Sequence, residues 1–353
     1  MEIKKREIKE GNPTYFIADI AANHDGDLQR ALDLIYKAAE AGANAAKFQH
    51  FDADTIISKE SFGSMSQQLS HQAKWKQSVY EVYKGASVPW EWTDDLKKAC
   101  DAAGVDFMST PYNLGAVDML DKYVDAFKIG SGDITWIEIV EAMAKKQKPV
   151  ILASGASSLQ DVERAMVALR GINEDVLLMQ CNTNYTVDLK NFKHIKLKVL
   201  NTYRALYPTV PLGLSDHTPG HSVVLGAIAL GACAVEKHFT DDIGREGPDH
   251  GFSLDPLTWR DMVNATRELE NGLGVNGIKE VEENEKESII VQRRSLTAAR
   301  DLGVGEVVTK ADIKVLRPAP SDGIPPYLID DVIGKVTTLP ISKGDHIKWI
   351  QFK

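Results

Sequence analysis

Hydrophobic and polar positions alternate in a regular pattern from about residue 14 to about residue 270. Short apolar runs predict strands, and longer stretches with apolar residues at helical spacing follow almost all of them. The eight predicted strands are Tyr15–Ala21, Ala45–Gln49, Asp106–Ser109, Ala126–Ile129, Val150–Ala153, Val176–Cys181, Pro211–Leu214 and Cys233–His238. The clearest predicted helices are Leu28–Ala41, Trp90–Ala103, Trp136–Lys146, Leu159–Arg170 and Pro256–Leu273. Eight such units favour an α/β fold closed into a (β/α)₈ TIM barrel, with a doubly wound open sheet as the alternative.

Two regions depart from this rhythm. The segment from about residue 50 to 90 is polar and aromatic, and it is too long for a plain connection, which is typical of a lid or a contact surface over the barrel mouth. Residues 274–292 are rich in charge and predict a linker. The pattern then changes to short strands, predicted at Ser295–Ala299, Asp312–Val315 and Gly344–Ile350. The expected domains are therefore a catalytic barrel at 1–273, a linker at 274–292 and a small β-rich domain at 293–353.

Composition narrows the classes of protein that remain. The chain has 353 residues, of which 43% are hydrophobic and 26% charged, as in an ordinary globular protein. Its net charge of −9 argues against nucleic acid and anionic membrane surfaces as partners. The three cysteines lack metal-site spacing and favour reduced thiols, so we expect a cytoplasmic protein. The charged N-terminal segment, which has no apolar core, predicts neither a signal peptide nor a membrane anchor.

Polar residues stand at the carboxyl ends of all eight predicted strands, which is where a (β/α)₈ barrel carries its active site. Taken singly, each has an ordinary explanation as a solvated charge or a cap. Coincidence at eight strand ends is much harder to accept. The residues concerned include Asp19, Lys47, Gln49, Thr110, Lys128, Ser154, Asn182, Ser215, Glu236 and His238.

The segment KIGSG, residues 128–132, combines a strand-end lysine with glycines and a serine that can approach anionic oxygens closely. As a motif this is weak. Together with Lys47 from another strand, Lys128 predicts a site for a phosphate or carboxylate.

His217 and His238 lie at the ends of neighbouring predicted strands. Two imidazoles with carboxylates nearby suit a divalent metal such as Mn²⁺, and Asp216, Glu236 and Asp249 are the carboxylates in question. This pattern predicts a metal site beside the anion site.

Several of these segments are familiar together: ADIAANHDG, AAKFQHF, FMSTPYN, FKIGSGD, GLSDHT, EKHFTDDIGREGPDHGFSL and LRPAPSDGIPP. Over nearly its whole length the chain resembles the sialic acid synthase family, which makes N-acetylneuraminate and the related legionaminic and pseudaminic acids. The resemblance implies a TIM barrel followed by an antifreeze-like (SAF, β-clip) domain in a domain-swapped homodimer. It also implies a C–C bond-forming transferase that condenses phosphoenolpyruvate with an open-chain N-acetylated amino sugar and releases phosphate. The sugar would be N-acetylmannosamine or a 2,4-diacetamido hexose.

The resemblance also assigns roles to individual residues. His217 and His238 would hold Mn²⁺ or Mg²⁺. Phosphoenolpyruvate would be bound by Lys47, Thr110, Lys128, Ser131, Ser215 and Asn182. Tyr185, Asp249 and Gln49 would lie near the sugar, and Arg317 would reach its N-acetyl group from the partner subunit.

Three positions differ from the family pattern. The family often has glutamate where this chain has Asp19, and serine where it has Ala153, so Ser154 is the expected substitute for that serine. Either Asn182 or Asn184 fills the family's asparagine position. Candidates for proton handling are Asp19, Glu236 and Asp249, with Tyr185 beside the reacting centre.

Two other functions fit part of the pattern. In a class I aldolase, Lys128 or Lys47 would form a Schiff base with a keto substrate. A non-catalytic sugar-binding protein would use the same barrel mouth without turnover.

Overall fold

The computed structural model describes residues 1–65, 72–73, 75–185, 187–274 and 276–353. The chain packs into two compact units, Met1–Val275 and Asn276–Lys353. The first unit contains the alternating strands and helices, and the second contains the small β-rich region.

The strands of the first unit are β1 (Glu2–Ile3), β2 (Arg6–Glu7), β3 (Tyr15–Asp19), β4 (Ala45–His50), β5 (Asp106–Pro111), β6 (Phe127–Ile129), β7 (Val150–Ala153), β8 (Val176–Cys181), β9 (Leu212–Asp216) and β10 (Ala232–His238). Strands β3 to β10 form one parallel sheet in the order β5-β4-β3-β10-β9-β8-β7-β6. The order starts and ends on strands that are consecutive in the chain, so the sheet curves into a nearly closed barrel. This confirms the predicted TIM barrel and excludes the doubly wound alternative, in which the strand order would reverse.

Helices of the first unit are α1 (Leu28–Glu40), α2 (Ala53–Ile56), α3 (Lys59–Ser64), α4 (Val79–Ala86), α5 (Thr93–Ala103), α6 (Leu114–Leu120), α7 (Ile137–Lys145), α8 (Leu159–Arg170), α9 (Val199–Leu206), α10 (Ser222–Ala229) and α11 (Pro256–Leu273). Two of these, α8 and α11, have the predicted bounds at both ends. Capping explains this agreement: Ser158 precedes α8, Asp255 precedes α11, and each forms a reciprocal capping box.

Side chains alternate along the barrel strands and divide the core into two layers. Phe16, Phe48 and Phe107 belong to the layer between strands and helices. Smaller residues such as Ala45 and Ala234 pack in the barrel interior. The β1–β2 hairpin adds Ile3 and Ile8 to this interior layer, at the end where the strands begin.

The second unit contains β11 (Ser295–Ala298), β12 (Ile313–Leu316), α12 (Lys286–Gln292) and α13 (Ile329–Val332), and β11 and β12 pair antiparallel. Helix α12 lies within the segment predicted as a linker. The predicted strand at Gly344–Ile350 was wrong, since this described segment forms a turn followed by a 3₁₀ helix at Trp349–Gln351. Its pairing is limited to contacts such as the Ile347 N–H donating to the Leu296 carbonyl at 2.7 Å. The alternating pattern predicted an extended segment, but the segment pairs with its neighbours over too few residues to form a strand.

Within the described part of the chain, no helix is both long enough and apolar enough to cross a membrane. Cys100, Cys181 and Cys233 are free and buried.

Candidate active site at the barrel mouth

Four charged side chains alternate in sign across the carboxyl end of the barrel. The Lys47 ammonium lies 2.7 Å from an Asp19 oxygen and 3.9 Å from Glu236, and Lys128 lies 3.4 Å from the same Glu236 oxygen. All four side chains are buried. Burial by itself would lower the pKa of Lys47, but Asp19 and Glu236 outweigh it and raise that pKa, so the lysine stays charged.

This row of charges has polar neighbours that suit an anion. Thr110 lies with its hydroxyl 3.5 Å from the Lys47 ammonium, and Ser215 donates to Glu236 at 3.3 Å. The second Glu236 oxygen is buried and has no hydrogen-bond partner among the described residues. The site therefore holds two ammonium groups, two hydroxyls and one carboxylate oxygen without a hydrogen-bond partner among the described residues.

Ser131 and Gly155 lie in contact where the loops that follow β6 and β7 meet. The Thr183 hydroxyl bonds to the Ser131 hydroxyl at 3.0 Å. Gly155 has a φ of +57°, and a Cβ there would stand 2.3 Å from the Ser131 Cβ. Any side chain at residue 155 would therefore displace Ser131 from the site.

Ser154 does not join this cluster. Its hydroxyl lies 3.4 Å from Gln180 and accepts from the Cys181 N–H at 3.2 Å, so it connects β7 to β8. Ala153, the preceding residue, is the one that packs inside the barrel. The expectation that Ser154 replaces the family's serine in binding phosphoenolpyruvate is therefore not supported by its contacts.

His217 and His238 lie side by side, with ring centroids 5.4 Å apart. His217 Nδ1 is 3.1 Å from the Asn182 carbonyl, which orients that ring. His238 Nδ1 is buried without a hydrogen-bond partner among the described residues, although an Asp249 oxygen lies 3.9 Å away. Burial, together with His217 and Lys47, holds the pKa of His238 well below its usual value, so its imidazole is neutral.

A neutral, unpartnered imidazole nitrogen fits a metal ligand. Among the described residues, however, no group of three or more His, Cys, Asp or Glu side chains is arranged to hold a metal ion. The two imidazoles would thus supply only part of a coordination shell, which leaves positions for water or substrate as catalytic metal sites require.

Asp216, predicted as a carboxylate near the imidazoles, acts on the pKa of His217 only through its charge, after the larger effects of burial and Cys181, and its direct contacts lie elsewhere. It is paired with Lys237 at 2.6 Å and accepts from Thr218. Since side chains alternate along a strand, Asp216 points to the opposite face from Ser215 and His217.

Asp249 lines a cavity of about 120 Å³. It accepts a hydrogen bond from the Ala22 N–H at 3.2 Å, and burial raises its pKa to about 6. Gln49 lines the same cavity and donates to Asp19 at 3.2 Å. Tyr185 also lines it, with its ring centroid 4.3 Å from that of His217.

Sequence reasoning gave no role in this site to three of its aromatic residues, although Tyr112 stands at the end of the third predicted strand. Phe252 packs 4.9 Å from the His238 ring, and Tyr83 and Tyr112 line the cavity. Phe252 follows the histidine-bearing motif closely enough to have been suspected. Tyr83 belongs to α4 in the long insertion, and nothing in its local pattern indicates the site.

Asn182 and Asn184 each form a hydrogen bond with the 3₁₀ helix at Leu189–His194. The Asn182 amide donates to the His194 carbonyl at 3.3 Å, while Asn184 accepts from Asn191 at 3.3 Å. Both contacts are compatible with the asparagine position of the family.

Arg317 belongs to the second unit, where its Nε donates to the Gln292 carbonyl at 2.6 Å.

The chain is similar to known proteins over most of its length. The sequence profile of the NeuB family matches residues 34–278, and that of the SAF domain matches residues 293–353. The N,N'-diacetyllegionaminic acid synthase of Legionella pneumophila is 34% identical, over 95% of this chain and 93% of that protein. The pseudaminic acid synthase of Campylobacter jejuni is 30% identical, over 96% of each. The crystal structure of N-acetylneuraminic acid synthetase from Leptospira borgpetersenii in complex with citrate has a TM-score of 0.71 and 29% identity, covering 82% of this chain and 94% of that one.

Proposed function

The chain belongs to the NeuB family, and we propose that it condenses phosphoenolpyruvate with an open-chain N-acetylated amino sugar, releasing phosphate to form a nonulosonic acid. The observation that carries this proposal is the buried row of Asp19, Lys47, Glu236 and Lys128 beside the imidazole pair. The named synthases among its relatives support the same class of enzyme.

Phosphoenolpyruvate carries a phosphate and a carboxylate, and the site offers one ammonium group for each. Lys47 and Lys128 would neutralise these two groups, with hydroxyls of Thr110, Ser131 and Ser215 as further donors. Both lysines are at most 2% exposed, so their attraction for an anion is little screened by solvent. Their contribution is mainly to hold carbon 3 of the enol in place for attack.

Carbon 3 of phosphoenolpyruvate attacks the aldehyde carbon of the sugar, which forms the new C–C bond and leaves positive charge at carbon 2. Water adds to carbon 2, and the tetrahedral adduct then collapses: its C–O bond to phosphate breaks while the carbon-2 hydroxyl gives its proton to the departing phosphate, leaving a 2-keto acid. Glu236, with one unpartnered oxygen, takes the proton from this water. Asp249, with its pKa at about 6, is partly protonated near neutral pH and delivers a proton to the former aldehyde oxygen.

A divalent cation, Mn²⁺ or Mg²⁺, held by His217 and His238 would supply Lewis-acid polarisation of the aldehyde. Tyr185 and Gln49 line the cavity on the sugar side. Arg317 would reach the N-acetyl group from the partner subunit of a domain-swapped homodimer. A barrel domain at 1–273, a linker at 274–292 and an antifreeze-like domain at 293–353 belong to the same proposal, as does a cytoplasmic location.

The protonation state of Lys47 argues against the aldolase alternative. Schiff-base formation needs a neutral amine, whereas the carboxylates around Lys47 raise its pKa. Borohydride treatment in the presence of a keto substrate separates the two chemistries: a covalent lysine adduct supports the aldolase. A binding protein would retain the sugar and produce no phosphate at all.

The decisive assay is phosphate release from phosphoenolpyruvate across N-acetylmannosamine and 2,4-diacetamido hexoses. We expect sugar-dependent release with equimolar keto acid. Lys128→Met should raise KM for phosphoenolpyruvate about 10- to 100-fold, since a hydrogen bond to a charged group contributes about 1.5–3 kcal/mol. Lys145→Met, on the exposed side of α7, is the matched control and should leave KM unchanged. Release that does not depend on any sugar would refute the condensation.

A further inference from the structure

Two tyrosines line the cavity that contains the reacting groups, and the proposed chemistry uses neither. Tyr112 follows β5, and Tyr83 lies on α4 of the insertion. Both line the same cavity as His238 and Asp249. Among the residues that the structure describes, neither phenol hydroxyl forms a hydrogen bond.

Packing holds both rings in place. Phe51 lies between them, with its ring centroid 5.5 Å from Tyr83 and 5.8 Å from Tyr112, the latter in an edge-on arrangement. Gly130 makes room for the Tyr112 hydroxyl, since a Cβ at that position would stand only 3.0 Å from the phenol oxygen. The Tyr112 hydroxyl therefore packs closely against the Gly130 backbone, where a larger residue would crowd it.

A polar group in a half-buried cavity favours a ligand that completes its hydrogen bonds and disfavours one that does not. Burial raises the pKa of Tyr112 well above its usual value, so its hydroxyl stays protonated and able to donate. An open-chain sugar with its aldehyde at His238 and Asp249 would extend its carbon chain through the cavity that these two residues line together with Tyr83 and Tyr112. Its hydroxyl or acetamido substituents are the groups available to the two phenols.

We propose that Tyr112 and Tyr83 select the acceptor sugar, by hydrogen bonding to a hydroxyl or acetamido group that lies beyond the carbon next to the aldehyde. This inference rests on the proposed condensation. Tyr112 forms the fixed side of this subsite, because it belongs to the barrel. Tyr83 forms the side contributed by the insertion, which gives that segment a role in substrate choice.

The test compares Tyr112→Phe with the wild-type enzyme, using phosphate release with each substrate varied in turn. KM for the preferred sugar should rise about tenfold, while KM for phosphoenolpyruvate and kcat stay within about twofold. The preference for that sugar over its analogue lacking the distal hydroxyl or acetamido group should fall by a similar factor. Tyr83→Phe should shift the same quantities in the same direction, and it tests the inference independently if Tyr112→Phe folds poorly.

Tyr80→Phe is the matched control, because the Tyr80 hydroxyl bonds to Asp54 outside this cavity. It should leave all constants unchanged. An unaltered sugar preference in both Tyr112→Phe and Tyr83→Phe would overturn the inference while leaving the condensation intact. Absence of phosphate release from the wild-type enzyme with every sugar would overturn the condensation and this inference together.

Discussion

The Asp19 carboxylate and the Lys47 ammonium lie 2.7 Å apart on adjacent strands, and each side chain is only 3% exposed. The parallel pairing of β3 with β4 sets Asp19 opposite Lys47. On its other side Asp19 is opposite His238, whose Nε2 lies 3.6 Å from the carboxylate. The Asp19 carboxylate thus connects Lys47 of the proposed anion site to His238 of the imidazole pair. An aspartate side chain is one methylene shorter than the glutamate that the family often has at this position.

Asp19→Asn should destabilise the protein, because it leaves the buried Lys47 charge with only the more distant Glu236. Removing one partner of a buried pair typically costs about 3–5 kcal/mol. Urea denaturation should therefore show a loss of about 3 kcal/mol, with KM for phosphoenolpyruvate raised as Lys47 moves. Glu141→Gln, in an exposed pair with Lys145, is the control and should change stability by less than about 0.5 kcal/mol. Equal stability of Asp19→Asn and wild type would remove Asp19 as the counter-charge.

The imidazole pair predicts that metal removal abolishes turnover and that Mn²⁺ restores it. A second readout does not depend on activity: Mn²⁺ should raise the melting temperature of the chelated wild-type protein, because binding to the folded state stabilises it. His217→Gln and His238→Gln should each abolish this shift. His346→Gln, a histidine of the second unit paired with Asp322, should preserve it. Full activity after exhaustive chelation would exclude a metal from the reaction.

The barrel was predictable from the sequence because its strands are buried on both faces and stand out as short apolar runs. The strand ends were also predictable, since polar residues such as Lys47 and Glu236 interrupt those runs at one end. The alternation of side chains along a strand could also have placed Asp216. Residues 215 and 217 face the site, so Asp216 between them faces the opposite side of the sheet. By the same alternation Ser154 faces away from the barrel interior, because Ala153 before it faces inward.

The rest of the site depends on tertiary packing that no local pattern reveals. Tyr83 reaches the cavity only because the insertion packs through Phe51 against the barrel. The short pairing around Ile347 depends on how the loops of the second unit meet. The hydrophobic periodicity of a sequence predicts which face of a helix or strand is buried. It does not predict which loops contact each other in the folded protein.

Asp133 predicts a specific dependence of stability on pH. Burial raises its pKa from 3.8 to about 6, and one of its oxygens is buried with no partner among the described residues. A raised carboxyl pKa contributes stability below the unfolded value, and this contribution is lost as pH rises from about 4 to about 6. Asp133→Asn should therefore match the wild type near pH 4 and exceed it by about 3 kcal/mol near pH 8.

Urea denaturation at both pH values measures this difference. Asp33→Asn, on the exposed face of α1, is the matched control and should show no pH-dependent gain. A constant difference between Asp133→Asn and wild type at all pH values would mean that the carboxyl does not titrate in this range.

Arg317 tests both sugar recognition and the swapped dimer. Arg317→Ala should raise KM for the sugar far more than KM for phosphoenolpyruvate, because only the sugar carries the N-acetyl group. Arg294→Ala is the control, since Arg294 belongs to the same unit and donates to the Val315 carbonyl. An equal rise in both constants would indicate a general loss of structure instead.

Mixing variants decides which subunit supplies the arginine. In a swapped heterodimer of Arg317→Ala with Lys128→Met, one of the two sites combines an intact Lys128 from the first subunit with an intact Arg317 from the second. The mixed dimer should therefore recover about half of the wild-type activity, although each parent is impaired. If Arg317 instead serves the barrel of its own chain, every site keeps one defect and mixing restores nothing. Phosphate release from dimers carrying two different affinity tags, purified by both, distinguishes these outcomes.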